Sequence, residues 1–315
     1  MKAFAAKSYG GPEVMALVDL PEPAPGKGEV VVAVRASSVN PVDWKVREGQ
    51  ARLITGGRFP KVLGSDVAGV IHAVGKGVTG WSAGDRVYGC IRVVLRQPGA
   101  HAEQVVMAAK YLRRMPAGMT FEQAAALPVA ALTALNGLRQ CGAIAGKQVI
   151  INGATGGVGH LALQLAKARG ARVTAVCSAG NAERARALGA DVVIDYGVQD
   201  FTSGAEHFDV VFDAHGQLGF AAGSRVLTPR GIYVCTLPGP RLFVSAAWRW
   251  IRGGKRIVFA NMRDKQQDYA ALEADIAAGK VTPKIDRVFP LEQTALAFAA
   301  LERGGAVGKI VIRVA

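Results

Sequence analysis

Cysteine is scarce in this sequence, and the few cysteines lie far apart. Cys90, Cys141, Cys177 and Cys235 are the only four among 315 residues, and no two of them form a Cys-x-x-Cys pair. A disulfide framework needs a dense set of cysteines, and a structural zinc site needs closely paired soft ligands. We therefore expect neither feature, and four reduced thiols in the core.

Long hydrophobic runs are missing as well. The longest candidate, residues 124–135, is rich in Ala but is interrupted by Pro128. It falls short of the roughly 18 apolar residues that a membrane-spanning helix needs. The first residues, MKAFAAKSYGGPE, lack the apolar stretch of a secretory signal. These absences predict a soluble, cytoplasmic protein without a transmembrane segment.

Acidic residues are outnumbered by basic ones. The chain has 24 Asp and Glu against 38 Lys and Arg, which gives a formal net charge of +14. Such an excess attracts nucleic acids, membrane surfaces or anionic small molecules. The basic residues are nevertheless spread along the chain, and only residues 241–256 are dense, with Arg alternating with Trp. A solvated surface is the commoner explanation of such a segment, so the charge alone does not predict a nucleic-acid partner.

The chain changes character near Thr120. Before it, Val- and Ile-rich segments at 29–36 and 66–74 with glycine-rich turns predict a β-rich unit. After it, short apolar strands alternate with helices, which is typical of an α/β protein with a doubly wound parallel sheet. The six predicted strands are 149–151, 173–176, 192–194, 210–212, 232–234 and 257–259. A tail from Gln267 adds helices at 269–278 and 291–301 and a strand at 309–314.

A glycine loop carries the strongest chemical signal. The strand at 149–151 runs into Gly153-Ala154-Thr155-Gly156-Gly157-Val158-Gly159, and a helix is predicted over 160–169. Glycines at this spacing let the backbone approach a pyrophosphate, and the helix N-terminus stabilises its charge. The flanking strand and helix favour a dinucleotide site over the alternative that the glycines only permit close packing.

The residues after the next strand indicate which dinucleotide binds. An acidic residue about 20 positions beyond the loop would bind the ribose of NAD, but this sequence has Ser178 there, followed by Asn181 and Arg184. A hydroxyl and a guanidinium can bind a 2′-phosphate that a carboxylate would repel. NADPH (NADP) is therefore favoured. Ser178 and Asn181 could equally cap the helix predicted at 182–188, and the two roles are compatible.

With these residues in view, the chain resembles the medium-chain dehydrogenase/reductase superfamily, in its zinc-free quinone oxidoreductase (zeta-crystallin-like) branch. The resemblance implies a GroES-like β-rich catalytic domain over 1–121, completed by 267–315, and a Rossmann domain with a doubly wound parallel six-stranded sheet over 122–266. The motifs that carry it are Pro25-Gly26-x-Gly28-Glu29-Val30, Val39-Asn40-x-x-Asp43, Gly64-x-Asp66-x-Ala68-Gly69, Gly84-Asp85-Arg86-Val87, Ala124-Ala125-Ala126-Leu127-Pro128 and Gly308-Lys309-Ile310-Val311.

Zinc-containing relatives differ from this sequence at the metal site. They have a Cys near the position of Asn40, a Gly-His-Glu where this chain has Gly64-Ser65-Asp66, and a four-cysteine lobe. Zinc needs three or four ligands of such types at fixed spacing. We therefore expect no metal, and hydride transfer to an acceptor that is already electrophilic, such as a quinone or an α,β-unsaturated carbonyl.

The resemblance also implies roles for individual residues. Asn40 and Thr133 would lie at the nicotinamide end, Tyr196 near the adenosine phosphate, and Thr236 and Leu237 at the carboxamide. Related enzymes often have a Lys at the position of Asn181, a contact that Arg184 would partly replace here. The branch further suggests a homodimer through the sheet edge near 257–259.

Some candidates have two interpretations. His215 ends the fourth strand of the predicted sheet, where ligands of α/β proteins bind, whereas the other four histidines (His72, His101, His160, His207) are expected to be structural or solvated. Trp44 and Tyr88 would either line a substrate pocket or belong to the core. Asp43, Lys45 and Arg47 are interpreted as solvated turn residues. No side chain is identified as a proton donor.

Together these features predict a zinc-independent NADPH-dependent oxidoreductase acting on a quinone or an enone/enal in the cleft between the two domains. Positioning and exclusion of water would supply most of the catalysis. The alternative is a protein that binds NADPH with little turnover and acts as a sensor or as an RNA- or membrane-surface binder.

Overall fold

The computed structural model describes residues 1–237, 254–262 and 266–314, which form two compact units. The strands are β1 (Lys2–Ala6), β2 (Met15–Asp19), β3 (Glu29–Ser38), β4 (Lys61–Val62), β5 (Asp66–Val74), β6 (Arg86–Cys90), β7 (Gln104–Ala108), β8 (Leu112–Arg114), β9 (Gln148–Asn152), β10 (Arg172–Cys177), β11 (Val192–Asp195), β12 (Phe208–Asp213), β13 (Leu227–Cys235), β14 (Arg256–Phe259), β15 (Ile285–Pro290) and β16 (Lys309–Arg313). The α-helices are α1 (Pro41–Arg47), α2 (Arg52–Thr55), α3 (Phe121–Ala125), α4 (Pro128–Arg139), α5 (Gly159–Ala168), α6 (Ala182–Ala187), α7 (Phe220–Gly223), α8 (Gln266–Ala277) and α9 (Thr294–Glu302). Short 3-10 helices lie at Pro12–Val14, Val93–Leu95, Ala109–Tyr111, Ala179–Asn181, Phe201–Ser203, Ser224–Val226 and Leu291–Gln293.

The first unit comprises Met1–Val129 and Lys284–Ala315. Its main sheet has the order β15-β16-β3-β5-β6-β8, with β7 also paired to β3, and a second sheet has the order β2-β1-β4. Strand β3 is rich in Val because much of it is buried: Val30, Val32 and Val34 belong to the hydrophobic core of this unit. The C-terminal strand β16 pairs antiparallel with β3. The expected GroES-like, β-rich fold is confirmed, and the last strand of the chain lies in its main sheet.

The second unit comprises Ala130–Pro283 and is built on a parallel sheet with the order β11-β10-β9-β12-β13-β14. All six strands expected from the sequence are present. The chain steps outward from β9 to β11 and then returns to the other side of β9, so the strand order reverses between β9 and β12. Ligands of doubly wound sheets bind at the carboxyl ends of the strands on either side of such a switch point.

The unit boundaries lie further along the chain than the expected domain limits of 121/122 and 266/267. Helix α3 packs on β3 and β5 and so belongs to the first unit. The residues from 267 to 283 still belong to the second unit. Within it, Arg139 forms an ion pair of 2.5 Å with Asp268, and Gln164 accepts a hydrogen bond from the Thr282 backbone. These local contacts place the boundaries at 129/130 and 283/284.

Three other expectations concern the chain as a whole. All four cysteines are buried and free. Along the described residues, no helix combines the length and the apolar character needed to cross a membrane. The basic segment at 241–256 lies outside the described residues except for its last three positions.

Candidate functional site

The glycine loop connects β9 to α5 in the second unit. Gly153 adopts φ +74°, in the left-handed region that favours glycine. A Cβ on Gly159 would lie 2.0 Å from the Gly153 carbonyl oxygen, so the first turn of α5 touches the start of the loop. The backbone N–H groups of Gly153 and Ala154 both donate to the Val176 carbonyl at 3.1 Å. The loop is thus fixed to β10, with the N-terminus of a ten-residue helix behind it. This arrangement fits a pyrophosphate.

The remaining loop residues surround the same helix start. Ala154 and Thr155 are buried, whereas Gly156, Gly157 and Val158 are half-buried. The ring of the buried His160 lies with Nδ1 2.9 Å from the Gly156 carbonyl oxygen. His160 therefore supports the loop, in line with the structural role expected of it.

Three side chains form a hydrogen-bonded chain after β10. Asn181 Nδ2 donates to Ser178 Oγ at 3.1 Å, and Arg184 Nη1 donates to Asn181 Oδ1 at 3.1 Å. Neither Ser178 nor Asn181 uses its side chain to cap a helix, so their polar atoms are engaged with one another instead. The Ser178 hydroxyl can still donate its own hydrogen, and Arg184 is exposed. The three side chains thus form one polar group, which the sequence predicts to bind a 2′-phosphate.

Tyr196 lies next to this group. Its backbone N–H donates to the Cys177 carbonyl at 3.2 Å, and its side chain is 65% exposed. Burial and the nearby Asp195 carboxylate raise the pKa of the Cys177 thiol. The thiol is therefore inert, and Tyr196 presents the accessible aromatic surface at this edge.

The other side of the switch point brings together three more candidates. His215 is exposed, and a Cβ on Gly153 would lie 3.3 Å from His215 Cβ. Thr236 Oγ1 lies 3.2 Å from the carbonyl oxygens of both Asp213 and Ala214. The side chain of Leu237 packs on Gly216. His215, Thr236 and Leu237 therefore share the sheet edge with the glycine loop.

Asn40 belongs to a buried polar cluster in the first unit. Its Nδ2 donates to Asp66 Oδ2 at 2.8 Å, and its Oδ1 accepts from Lys309 Nζ. Lys309, which begins β16 and is only 4% exposed, also forms an ion pair of 3.3 Å with Asp66. Asp66 accepts further hydrogen bonds from Ser38 Oγ at 2.5 Å and from the Val129 backbone at 2.8 Å. The orientation of the Asn40 amide is therefore fixed by charged neighbours.

The interpretation of Asp43 and Arg47 as solvated turn residues was wrong. Asp43 is fully buried, accepting from the Asn40 backbone at 3.0 Å and from Ser65 Oγ at 2.7 Å. Arg47 is also fully buried: it pairs with Glu302 at 2.8 Å and donates to the Gly10 carbonyl at 3.0 Å. Both side chains are covered because partners distant in sequence pack over α1.

Burial changes the protonation of two groups near this cluster. The loss of hydration raises the pKa of Asp43 to about 6, and the negative charge of Asp66 adds to the effect. Burial lowers the pKa of His101 to about 4. His101 is thus a neutral core residue at neutral pH, with Nε2 3.3 Å from the Ser38 carbonyl oxygen.

Zinc does not fit the residues at the position where zinc-containing relatives bind it. The side chains there are an amide, a hydroxyl and a carboxylate, from Asn40, Ser65 and Asp66. Asn40 Oδ1 and Asp66 Oδ2 already contact the ammonium of Lys309. Zinc in proteins prefers thiolate and imidazole ligands. Within the described residues, no three His, Cys, Asp or Glu side chains are grouped closely enough to hold a metal ion.

The remaining candidates differ in exposure. Trp44 is half-buried and packs against the core of the first unit, whereas Tyr88 on β6 has no exposed surface. The complete burial of Tyr88 favours the core alternative for that residue. Thr133 lies on α4 and is 7% exposed.

Sequence reasoning missed the partners that organise these sites. Lys309 and Asp66 entered it only as members of motifs, and Asp213 only as a strand residue. A signal was present for Lys309, because a lysine that begins an apolar strand, KIVIR, must find a partner if the strand is buried.

Comparison with known proteins identifies the family to which the chain belongs. A family model described as "Alcohol dehydrogenase GroES-like domain" matches residues 26–117, and one described as "Zinc-binding dehydrogenase" matches residues 188–312. Asn40, Ser65 and Asp66 lie outside the residues that the second family model matches.

Individual relatives cover nearly the whole chain. The "Chloroplast envelope quinone oxidoreductase homolog" of Arabidopsis thaliana is 34% identical over 99% of this chain and 98% of its own length. The "NADPH-dependent alkenal/one oxidoreductase, chloroplastic" of the same plant is 35% identical over 99% of this chain and 79% of its own. The solved quinone oxidoreductase of Coxiella burnetii superposes with a TM-score of 0.92 at 31% identity, covering 100% of this chain and 99% of that one. The chain is therefore an oxidoreductase and belongs to the quinone oxidoreductase branch of the medium-chain dehydrogenase/reductase superfamily.

Proposed function

We propose that this protein is a zinc-independent NADPH-dependent oxidoreductase that transfers a hydride to a quinone or to an α,β-unsaturated carbonyl. The observation that carries the proposal is the donor set at Asn40, Ser65 and Asp66, where the Lys309 ammonium contacts the oxygens that a metal would need. Without a Lewis-acidic metal to polarise the acceptor, hydride transfer requires an acceptor that is already electrophilic. Quinones, enones and enals meet that requirement, and the names of the relatives include both classes.

The second unit supplies the cofactor site. The glycine loop would hold the pyrophosphate of NADPH, and Ser178 and Arg184 would bind its 2′-phosphate. When bound, NADPH provides the hydride. His215 and Thr236 lie on the other side of the switch point, where the remaining half of a dinucleotide is received in doubly wound sheets.

The contribution of the first unit is to position groups. The Asn40 amide is held by Lys309 and Asp66, so it can orient the nicotinamide end but is poorly placed to move a proton. We assign Trp44 to the substrate pocket and Thr133, which belongs to the second unit, to the same end of the cofactor. A quinone needs no protein acid, because solvent can protonate the reduced oxygens.

The test is a steady-state assay with NADPH and NADH. The acceptors are 1,4-benzoquinone, 9,10-phenanthrenequinone and short enals, and the protein is assayed before and after dialysis against a chelator. We expect turnover with NADPH that chelation does not change. Failure to oxidise either nucleotide with every acceptor would refute the proposal, and tight NADPH binding without turnover would favour the alternative of a binding protein.

Two further expectations remain proposals. Among the described strands, β14 lies at the edge of the six-stranded sheet, and we propose that it pairs there with a second copy into a homodimer. Light scattering after gel filtration measures the oligomeric state. The cytoplasmic location stays a prediction, which fractionation of the source cells would check.

A further inference from the structure

A buried carboxylate joins the two sides of the switch point in the second unit. Asp213 is the last residue of β12 and has no exposed surface. Within residues 1–237, 254–262 and 266–314, no lysine or arginine forms an ion pair with it. Such a charge is costly to bury unless hydrogen-bond donors surround it.

Four donors do surround it, two on each oxygen. Oδ1 accepts from Asn152 Nδ2 and from the Gly216 backbone, both at 2.9 Å. Oδ2 accepts from the Leu218 backbone at 3.0 Å and from the Tyr233 hydroxyl at 2.8 Å. Burial and this carboxylate raise the pKa of Tyr233 far above its usual range, so its hydroxyl remains a donor.

These donors come from separate parts of the candidate cofactor site. Asn152 ends β9 and immediately precedes the glycine loop, and Tyr233 lies on β13, three residues before Thr236. Gly216 and Leu218 belong to the loop that carries His215. One side chain therefore fixes the relative positions of β9, β13 and this loop.

The chemistry of this arrangement requires a carboxylate. An ionised Asp is purely an acceptor and can take hydrogen bonds at both oxygens. An amide of the same shape offers one acceptor, and its NH₂ group would face two donors. The loop would then lose the contacts that hold His215 against Gly153 and Leu237 against Gly216.

We propose that Asp213 is a positioning residue of the cofactor site: it holds the His215 loop and the Thr236–Leu237 strand end in the arrangement that receives the part of NADPH beyond the pyrophosphate. It acts through these groups and does not contact the cofactor. The inference rests on the proposed function, because it presumes that NADPH binds at this sheet edge.

The test compares Asp213→Asn with Asp209→Asn. Asp209 is on the same strand at its opposite end and accepts one backbone hydrogen bond, from Gln148 at 3.0 Å. Affinity is measured by calorimetry for NADPH and for 2′,5′-ADP, which reaches only the Ser178 side of the site. We expect Asp213→Asn to weaken NADPH binding tenfold or more and to leave 2′,5′-ADP binding within twofold. Asp209→Asn should change neither affinity.

Two variants keep the test decisive if Asp213→Asn does not fold. Tyr233→Phe and Asn152→Ala each remove one donor, and each should weaken NADPH binding two- to fivefold with the same selectivity. An equal decrease in the affinities for NADPH and 2′,5′-ADP, or an unchanged affinity for NADPH, would overturn the inference. Absence of NADPH binding by the wild-type protein would instead refute the proposed function.

Discussion

The buried ion pair in the first unit allows a worked prediction for Lys309→Met. Methionine has nearly the length of lysine but no charge, so the substitution removes the ammonium with little change in volume. Asp66 would then be a buried carboxylate without its cation. It would keep its hydrogen bonds from Ser38, Asn40 and the Val129 backbone.

The size of the effect follows from the burial of both partners. Lys309 and Asp66 side chains are 4% and 0% exposed, and removing one member of such a pair costs about 3–5 kcal/mol. Three remaining donors put the expected loss of unfolding free energy at the lower end, about 3 kcal/mol. That loss corresponds to a fall in Tm of roughly 6–12 °C for a unit of this size.

The assay is thermal and urea unfolding of four proteins: wild type, Lys309→Met, Asp66→Asn and the double variant. The double variant should lose less unfolding free energy than the two single variants lose together, because the second substitution removes the charge that the first leaves unpaired. Lys2→Met is the matched control: its pair with Asp19 is shorter, at 2.7 Å, but its side chains are 50% and 76% exposed, so solvent screening should make the loss of stability much smaller. A cost for Lys309→Met as small as that of Lys2→Met would show that the reasoning is wrong.

Three further predictions concern single positions. Gly159→Ala should abolish NADPH binding, because its Cβ would lie 2.0 Å from the Gly153 carbonyl oxygen, whereas Gly57→Ala, with no atom within 4 Å, should leave the Kd unchanged in the same calorimetric titration. Ser178→Asp should weaken NADPH binding by tenfold or more and spare NADH, since a carboxylate repels the 2′-phosphate; equal effects on both nucleotides would contradict this site. Burial raises the pKa of Asp43 from its ordinary value of 3.8 to about 6, which favours the protonated form in the folded state. The stabilising effect of protonation is therefore complete only well below pH 3.8 and is lost as the pH rises through 6. In urea titrations, the unfolding free energy of the wild type should therefore fall relative to that of Asp43→Asn by about 2 kcal/mol between pH 4 and pH 6, and a difference that does not change with pH would refute the assignment.

The nucleotide-binding sheet was predictable because its signals are local. Each of its six strands is a short apolar run, and the glycine loop with its strand and helix occupies about 20 consecutive residues. The chain from Ser178 to Arg184 is similarly local, since its three side chains lie at intervals of three residues. In such segments, neighbours in sequence are neighbours in space, and a periodic pattern suffices.

The errors concern residues whose surroundings come from far away in the sequence. Arg47 is covered by Glu302 and by the ring of Phe298, whose centroid lies 5.3 Å from the guanidinium carbon. Asn40 meets Lys309 across 269 residues. Charged residues in a turn are usually solvated. Contacts with Ser65 for Asp43, and with Gly10 and Glu302 for Arg47, reverse that expectation here.

The pairing of β16 with β3 has a consequence for biosynthesis. The nucleotide-binding unit, Ala130–Pro283, is continuous, so a ribosome can release all of its residues before the other unit is complete. The first unit must wait for residues 309–313, which supply both an interior strand and the cation beneath Asn40. A chain that terminates prematurely after residue 283 would therefore carry an intact Rossmann fold joined to a sheet with an open edge and an uncompensated acid, a species that quality-control proteases would recognise.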